Sequence, residues 1–410
     1  MFLKENKKRE QDNFMWNMYA SLVYSAQSPI LLLVVTRVLG LYEAGIFSIT
    51  YTLAHMFTNV GLYNMRSYQT SDIKEEFSFS SYYSSRIVTS VVMFLLCIMY
   101  PIMCSYDIHK TLMVVLWAIY RIIEVVEDVY HGEIQKRGRL DIVSKIVTFR
   151  ITVSSIIFVF VLIMTKNLIY SSLGLVVASV LIFGFSNENL KKKFKLVGVL
   201  NLEYVKKILI LCFPLFISSF LYSYFVNAPK YAIDRYLSSE MQSIFSIIFL
   251  PNMVINMIGI FIFKPLIVGM GKVWFEQDLT EFKKIVLKPL GIMGGFTIGL
   301  MILGGIAGIP ILSMIYGVEL KQYRWIFIVL LFFGGISAVG NFFSIVLTVM
   351  RKQIYLIIVY GIGLLISILI TNVLVSRWAL QGAAYSFGIV MTAIFVVFGL
   401  IIWSEIKRCD

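Results

Sequence analysis

Residues Arg37–Arg66 read RVLGLYEAGIFSITYTLAHMFTNVGLYNMR, and this stretch decides the fold. It joins the end of one apolar segment, a short turn and a second apolar segment that stops at an arginine. A shift of 198 positions repeats the pattern without a gap, with the run Ile46–Ile49 falling on Ile244–Ile247. Seven of the thirty aligned positions are identical, and the arginines at the two ends fall on Arg235 and Lys264. An offset of about half the chain predicts two similar halves that arose by duplication.

The composition is that of a polytopic membrane protein. The mean hydropathy is +0.84, and 59% of the residues are hydrophobic against 14% charged, which excludes an ordinary soluble domain. A bilayer core of about 30 Å requires about 20 apolar residues in a helix. The first such run has no cleavage site after it, which favours a retained helix over a signal peptide. We therefore predict an all-α fold with twelve transmembrane segments: 14–36, 45–65, 87–104, 111–130, 142–165, 167–186, 207–229, 241–263, 285–308, 324–350, 354–375 and 380–403.

The net charge of +13 is a topology signal and does not indicate a nucleic-acid partner. If the N-terminus is inside, 26 of the 36 Lys and Arg residues lie in the leader, in or next to the inner loops, and in the C-terminal tail. The outer loops hold 7. This asymmetry is the positive-inside rule, and it places both termini in the cytoplasm. We expect a multi-pass protein of the bacterial cytoplasmic membrane, with the lipid bilayer as its surroundings.

Six segments precede a basic stretch and six follow it. An even number of spans per half means that both halves insert in the same direction, so they are parallel repeats. We therefore divide the chain into an N-terminal lobe at 1–190, a basic cytoplasmic linker at 191–205 and a C-terminal lobe at 206–410, with a cavity between the lobes.

Motifs for catalysis or cofactor binding are missing from the sequence. The four cysteines have no CxxC spacing, the three histidines are scattered, and no phosphate-binding glycine loop is present. The predicted outer loops are too short for a membrane glycosyltransferase or polymerase. We expect no enzyme activity, no metal and no cofactor.

Three stretches resemble the Wzx-type polysaccharide-repeat flippases, a branch of the MOP transporter superfamily. They are TRVLGLYEAGIFSIT (Thr36–Thr50), DVYHGEIQKRGRLDI (Asp128–Ile142) and NAPKYAIDRYLSSEMQSIF (Asn227–Phe245). The resemblance implies twelve helices in two lobes around a central cavity. It further implies ion-coupled translocation of an undecaprenyl-diphosphate-linked oligosaccharide, with H⁺ or Na⁺ as the ion and a polysaccharide polymerase and other assembly proteins as partners. The loop Arg66–Arg86 does not match the Gly/Asp/Arg-rich loop of the major facilitator fold.

Two deep arginines are the first candidates for a binding site. Arg121 lies about 15 Å along its helix at 1.5 Å per residue, and Arg150 lies at a similar depth on the next segment. A charge at this depth faces protein or water and often marks a transport path. Guanidinium groups bind a diphosphate bidentately, and Glu124 and Asp128 are candidates for ion coupling. The alternative is an internal ladder of ion pairs, Glu124 and Asp128 against Lys145 and Arg150, that only fixes a helical hairpin.

Arg66 and Lys264 form a second pair of candidates at repeat-related positions. Each ends a predicted segment at the inner face, where a lipid diphosphate would first meet the cavity. The alternative is that both are ordinary residues of the positive inner side, with their charged ends in the headgroup region.

Arg37 and Lys230 are candidates at the outer face. Arg37 recurs as Arg235 in the second half, and positive residues are scarce on this side. The alternative is a structural role, in which these cations pair with Glu43 or Asp234.

Three functions fit the sequence. The first is a flippase for lipid-linked oligosaccharides, which needs cations for the diphosphate. The second is a multidrug or organic-cation antiporter of the same fold, which needs acidic residues in the cavity. The third is a scaffold in a polymer-assembly complex without transport.

Overall fold

The computed structural model describes residues 2–263 and 265–409, and side chains at 9–263 and 265–408. In this part of the chain every long element is a helix and there is no β-strand. A π-helical turn, Gly304–Gly308, follows α11, and a 3₁₀ turn, Lys321–Tyr323, precedes α13. The helices are α1 Phe2–Leu39, α2 Leu41–Leu62, α3 Met65–Ser71, α4 Phe79–Met103, α5 Ile108–Lys136, α6 Leu140–Thr165, α7 Leu168–Phe194, α8 Val205–Tyr236, α9 Ser239–Phe263, α10 Leu266–Phe275, α11 Leu279–Leu303, α12 Ile309–Tyr316, α13 Arg324–Val349 and α14 Ile354–Cys409.

The predicted all-α architecture with twelve long helices is confirmed. Nine helical stretches of the described chain are long and apolar enough to cross a membrane. One of them, α14, is two helices, because the backbone is non-helical at Trp378 and Ala379. Separating its halves and adding α2 and α5, which carry more polar residues, completes the twelve. The short helices α3 and α10 were not predicted, since each is too short to give a hydropathy signal.

The internal repeat is visible in the helix boundaries. A shift of 198 positions carries Leu41, the first residue of α2, onto Ser239, the first residue of α9. Each of these helices is followed by a short one, α3 in the first half and α10 in the second. The repeated sequence therefore encodes a repeated element, a long helix that breaks and continues as a short one.

Polar residues at loop ends start several of the helices. The side chains of Ser78, Asp107, Asn167 and Asp278 each accept a hydrogen bond from a backbone amide two or three residues later. Such caps satisfy N–H groups that have no partner within a helix. The loops thus fix where α4, α5, α7 and α11 begin.

The chain folds into two compact units, Met1–Phe220 and Leu221–Asp410, which divide within α8. In the first unit, α5 packs against α2, α3, α4, α6 and α7. The rings of Phe47, Trp117 and Phe158 form a buried aromatic cluster, with centroids 5.5–6.4 Å apart. The segment 191–205 belongs to this unit. Because α5 has neighbours on most sides, its charged residues must find partners inside the protein.

The second unit is organised around α13, which packs against α9, α10, α11 and α14. Helix α11 approaches closely at Gly335, where an added Cβ would lie 2.5 Å from the Thr297 side chain. The polar contacts inside this unit include an uncharged network. The Asn341 amide donates to Tyr222 Oη at 2.9 Å and to Asn256 Oδ1 at 2.8 Å.

Candidate functional site: a polar cavity on a buried ionic stripe

A stripe of charged residues runs along α5 inside the first unit. Arg121, Glu124 and Asp128 are three and four residues apart, so they follow one face of the helix. Glu127 lies beside them, and its side chain is only 4% exposed. Each of the three carboxylates on this stripe forms an ion pair with an arginine. Removing charges from water is costly, so such a stripe is stable only when its members are paired.

Asp128 bridges two arginines. Its Oδ1 lies 2.9 Å from Nη1 of Arg66, and its Oδ2 lies 2.8 Å from Nη2 of Arg86. The two cations differ in access, because the Arg66 side chain is 31% exposed and the Arg86 side chain is 1% exposed. One carboxylate therefore links an interior cation to a cation that water can reach.

A break between α2 and α3 places Arg66 at this position. Tyr63 and Asn64 both have left-handed backbones, with φ of 45° and 51°, so the chain turns sharply after α2. The Arg86 guanidinium donates to the carbonyl oxygens of Gly61 and Leu62, which lie at the end of α2. Lone carbonyls at a helix end need such donors. Arg86 therefore stabilises the break and orients the Asp128 carboxylate at the same time.

The exposed side of Arg66 borders a cavity of about 320 Å³. Its guanidinium is held on one side, because Nε donates to Gln135 Oε1 at 2.9 Å while Nη1 reaches Asp128. Most of the lining side chains carry hydrogen-bonding groups. The lining residues are Leu62, Asn64, Arg66, Ser67, Thr70, Asp128 and Gln135. We call this space the Arg66 cavity. It presents a fixed guanidinium beside neutral hydrogen-bonding groups. The Asp128 carboxylate in the lining is shared by Arg66 and Arg86, so these three side chains keep one net positive charge, which suits an anion.

Arg121 is fully enclosed. Its Nη1 lies 2.5 Å from Glu124 Oε2 and 3.2 Å from Tyr24 Oη. The guanidinium carbon also lies over three rings, 5.7 Å from Tyr24, 4.8 Å from Tyr51 and 5.6 Å from Tyr120. Aromatic faces stabilise a cation electrostatically. Arg121 and Glu124 are therefore brought together as a pair within an aromatic enclosure.

Arg150 pairs with Glu127. Its Nε lies 2.8 Å from Glu127 Oε2, and its guanidinium carbon lies 5.4 Å from the centre of the Tyr120 ring. The ion-pair ladder considered for the sequence had Arg150 opposite Glu124 and Asp128. Lys145, its other cation, instead lies 3.9 Å from Asp141.

The remaining predicted site residues lie elsewhere. Arg37, the last basic residue of α1, is exposed. Lys230 belongs to the second unit, and its Nζ lies 5.6 Å from the centre of the Phe249 ring. Glu43, considered as a partner of Arg37, lies 3.1 Å from His109 Nε2. Lys264 lies outside the described residues.

No metal site is formed by the part of the chain that the structure describes. Those residues contain no group of three His, Cys, Asp or Glu side chains that could hold a metal ion.

Comparison with known proteins identifies the fold. No protein-family model matches this sequence, and no curated protein sequence matches it. Among solved structures, the chain is similar to the lipid II flippase MurJ in an inward closed conformation, with a TM-score of 0.74 and 11% identity over 97% of this chain and 90% of that one. It is also similar to an inward-facing multidrug resistance MATE family transporter of the MOP superfamily, with a TM-score of 0.67 and 12% identity over 95% of each chain. A point mutant of the Vibrio cholerae MATE transporter VcmN gives a TM-score of 0.62 at 10% identity over 97% of this chain and 98% of that one. The chain has the fold of the MOP transporters.

Two residues of this candidate site, Arg86 and Glu127, are not predicted from the sequence. Arg86 was assigned to a loop, because the third apolar segment was predicted to begin at 87, whereas α4 begins at Phe79. Glu127 is not among the site residues predicted from the sequence. A signal for Arg86 existed in the sequence: Ser78 is a good N-cap for a helix that would include Arg86 in its third turn.

Proposed function

We propose that this protein is a flippase that moves an undecaprenyl-diphosphate-linked oligosaccharide across the bacterial cytoplasmic membrane for cell-surface polysaccharide synthesis. The observation that carries the proposal is the Arg66 cavity, a polar space with one accessible guanidinium that Gln135 and Asp128 hold in place. The fold agrees with such a role, because both MATE transporters and the lipid II flippase MurJ have structures similar to this one.

The chemistry of Arg66 suits a diphosphate. Among the described contacts its Nε and Nη1 are used by Gln135 and Asp128, and its Nη2 makes none. A guanidinium that is fixed through two of its nitrogens presents the third in a defined direction, so it loses little freedom when an anion binds. The hydroxyls of Ser67 and Thr70 line the same cavity. They donate to Asn64 Oδ1 and to the Arg66 carbonyl, so each hydroxyl must rotate to donate to a phosphate oxygen.

The competing proposal of an organic-cation antiporter needs a carboxylate that is free to meet its cargo. Each of the six buried carboxylates in the described chain already has a hydrogen-bonding or charged partner. These residues are Asp72, Glu127, Asp128, Glu133, Asp141 and Glu405. The charges therefore favour an anionic cargo.

The other predicted residues have different parts in this proposal. Arg121 and Arg150 hold the acidic face of α5 in place, since both are enclosed and ion-paired. Coupling to H⁺ or Na⁺ operates through Glu124 and Asp128, and it requires each carboxylate to exchange its arginine for the ion. Lys264, Arg37 and Lys230 are additional cations along the path of the diphosphate. The inner side of the membrane is the side at which α2 ends, as the distribution of Lys and Arg predicts.

The test is transport by purified protein in vesicles. A fluorescent polyprenyl-diphosphate glycan is placed in the vesicles, and a membrane-impermeant reductant bleaches the molecules that reach the outer leaflet. We expect wild-type protein to raise the accessible fraction, and Arg66→Gln to lose this activity. Arg377→Gln, which removes an exposed arginine at the break in α14, is the matched control and should retain it. If wild-type protein moves no glycan but exports a cationic dye, the flippase proposal is wrong.

A further inference from the structure

A ten-residue segment without regular structure joins α7 to α8. Helix α7 ends at Phe194, and the next residue, Lys195, has a left-handed backbone with φ of 52°. The Leu196 amide then donates to the Lys191 carbonyl at 3.1 Å. The segment that follows crosses the start of α4 and returns to the membrane at Val205. We call residues 195–204 the strap.

Two serines one helical turn apart bind the strap like a neighbouring β-strand. Ser80 Oγ lies 3.2 Å from the Val197 carbonyl oxygen and 3.4 Å from the Val199 amide nitrogen. Ser84 Oγ lies 3.3 Å from the Val199 carbonyl oxygen and 2.7 Å from the Asn201 amide nitrogen. One helical turn spans about 5.4 Å and two extended residues span about 6.6 Å, so the two repeats nearly match. The strap is therefore fixed to α4 through its backbone.

The inner side of the strap is packed against the protein. Leu196 is 3% exposed and belongs to the same hydrophobic cluster as Phe77 and Tyr82. A Cβ on Gly198 would lie 2.8 Å from the Tyr83 ring, so the backbone approaches that ring as closely as only glycine allows. These contacts fix which side chains face outward.

The outer side is apolar. Val197 is 70% exposed, Val199 58%, Leu200 66% and Leu202 67%. These four exposed apolar side chains lie close together in sequence, on a segment whose backbone is already fixed to α4. An exposed apolar surface of this kind marks an interaction site.

Lysines surround this apolar surface. Residues 187–207 contain six lysines and two glutamates. Two of the lysines are paired with acids, Lys191 with Glu188 and Lys207 with Glu76. The other four have no acidic partner among the described contacts. They are Lys192, Lys193, Lys195 and Lys206.

We propose that the strap is a docking surface for the anionic phospholipids of the membrane that the protein spans. Helices α7 and α8 are both long and apolar enough to cross that membrane, so the segment between them lies at its boundary with water. At this depth apolar side chains enter the headgroup region while lysines attract negative headgroups. The strap thereby anchors the start of α4 to the lipid surface through Ser80 and Ser84.

A spin label on the strap tests this inference. Leu200→Cys is labelled in full-length protein that also carries Cys104→Ser and Cys409→Ser, and is placed in nanodiscs of phosphatidylcholine alone or mixed with phosphatidylglycerol. The relaxation of the label is measured once with oxygen, which enters lipid, and once with a nickel chelate, which stays in water. We expect the ratio of oxygen to nickel accessibility to rise several-fold when phosphatidylglycerol is added.

Two sets of lysine variants separate local attraction from net charge. Replacing the four lysines in and next to the strap that have no acidic partner among the described contacts, Lys192, Lys193, Lys195 and Lys206, by Gln should abolish the response to phosphatidylglycerol. Replacing four lysines at the α10–α11 end should leave it intact, although the same charge is removed. These control residues are Lys272, Lys283, Lys284 and Lys288.

The reference position for a water-exposed residue is Lys74, in the loop before α4. If a label at Leu200 is as accessible to nickel as a label at Lys74 in both lipid mixtures, the strap faces water or awaits a protein partner, and the proposal is overturned. The outcome is independent of whether the protein flips a glycan, because no cargo is present in the experiment.

Discussion

Asp128 Oδ2 lies 2.8 Å from Arg86 Nη2, and this contact neutralises an arginine whose side chain is 1% exposed. The same arginine donates to two carbonyls at the end of α2. The contact therefore connects three helices of the first unit, α2, α4 and α5. The other carboxylate oxygen of Asp128, Oδ1, positions Arg66, so the Asp128 side chain belongs both to the interior ion pair and to the Arg66 cavity.

Asp128→Asn should destabilise the protein strongly. The amide keeps the shape of the side chain but leaves Arg86 buried without a countercharge. Breaking a buried ion pair on one side costs about 3–5 kcal/mol. A fall in the midpoint of thermal unfolding in detergent measures the effect.

Two control variants define this prediction. Lys207→Gln removes the exposed partner of Glu76 and should change the midpoint little, because surface ion pairs contribute little to stability. Combining Asp128→Asn with Arg86→Met removes the uncompensated charge and should recover part of the lost stability. A midpoint for Asp128→Asn equal to that of wild type would mean that the pair is not a structural link.

Arg66→Lys should reduce glycan flipping while leaving stability nearly unchanged. Lysine keeps the charge but cannot reach Gln135 and Asp128 together while presenting a third donor, because its ammonium is a single point of charge. Loss of one charge-assisted hydrogen bond, about 1.5–3 kcal/mol, corresponds to a rate roughly tenfold to a hundredfold lower. The vesicle assay measures the rate, and a thermal unfolding midpoint close to that of wild type confirms that the variant is folded. Equal rates for the two proteins would remove Arg66 from the site.

The loop between α3 and α4 should lose stability in acid. Burial raises the pKa of Asp72, but hydrogen bonds to its carboxylate from the amides of Glu76 and Phe77 and from the Tyr82 hydroxyl outweigh it, so its pKa lies below the ordinary value. A carboxyl with a lowered pKa in the folded state stabilises the protein above its unfolded pKa, about 3.9. That contribution is lost as the pH falls through the folded pKa. Asp72→Asn should therefore unfold at a lower temperature than wild type at pH 7, and the difference should shrink below about pH 4.

The exposed Glu75 provides the control for this pH dependence. Glu75→Gln should give the same unfolding midpoints as wild type over the same pH range. If the difference between wild type and Asp72→Asn is constant from pH 7 to the acid limit, the Asp72 carboxylate does not stabilise the loop.

Much of the α5 stripe follows from the sequence, but its pairing does not. Arg121, Glu124 and Asp128 share a helix face by their spacing alone, which any helix imposes. The pairing of Arg150 with Glu127 depends on how α6 rotates against α5, which hydropathy does not encode. The turn that places Arg66 is hidden for another reason: Tyr63 and Asn64 adopt left-handed backbones without a glycine to signal it.

Gly335→Ala should destabilise the second unit, which has no charged stripe comparable to that on α5 among its described contacts. The new methyl would lie 2.5 Å from Thr297 Oγ1 and 3.0 Å from its Cβ, so α11 and α13 must move apart. Overpacking of this kind costs about 1–3 kcal/mol, seen as a lower unfolding midpoint. Gly294→Ala on α11 is the matched control: a Cβ there meets nothing within 4 Å, so its midpoint should stay the same or rise. Adding Thr297→Ala to Gly335→Ala should relieve the clash and recover stability. If the single variant unfolds at the wild-type temperature, the two helices are not in close contact at this position.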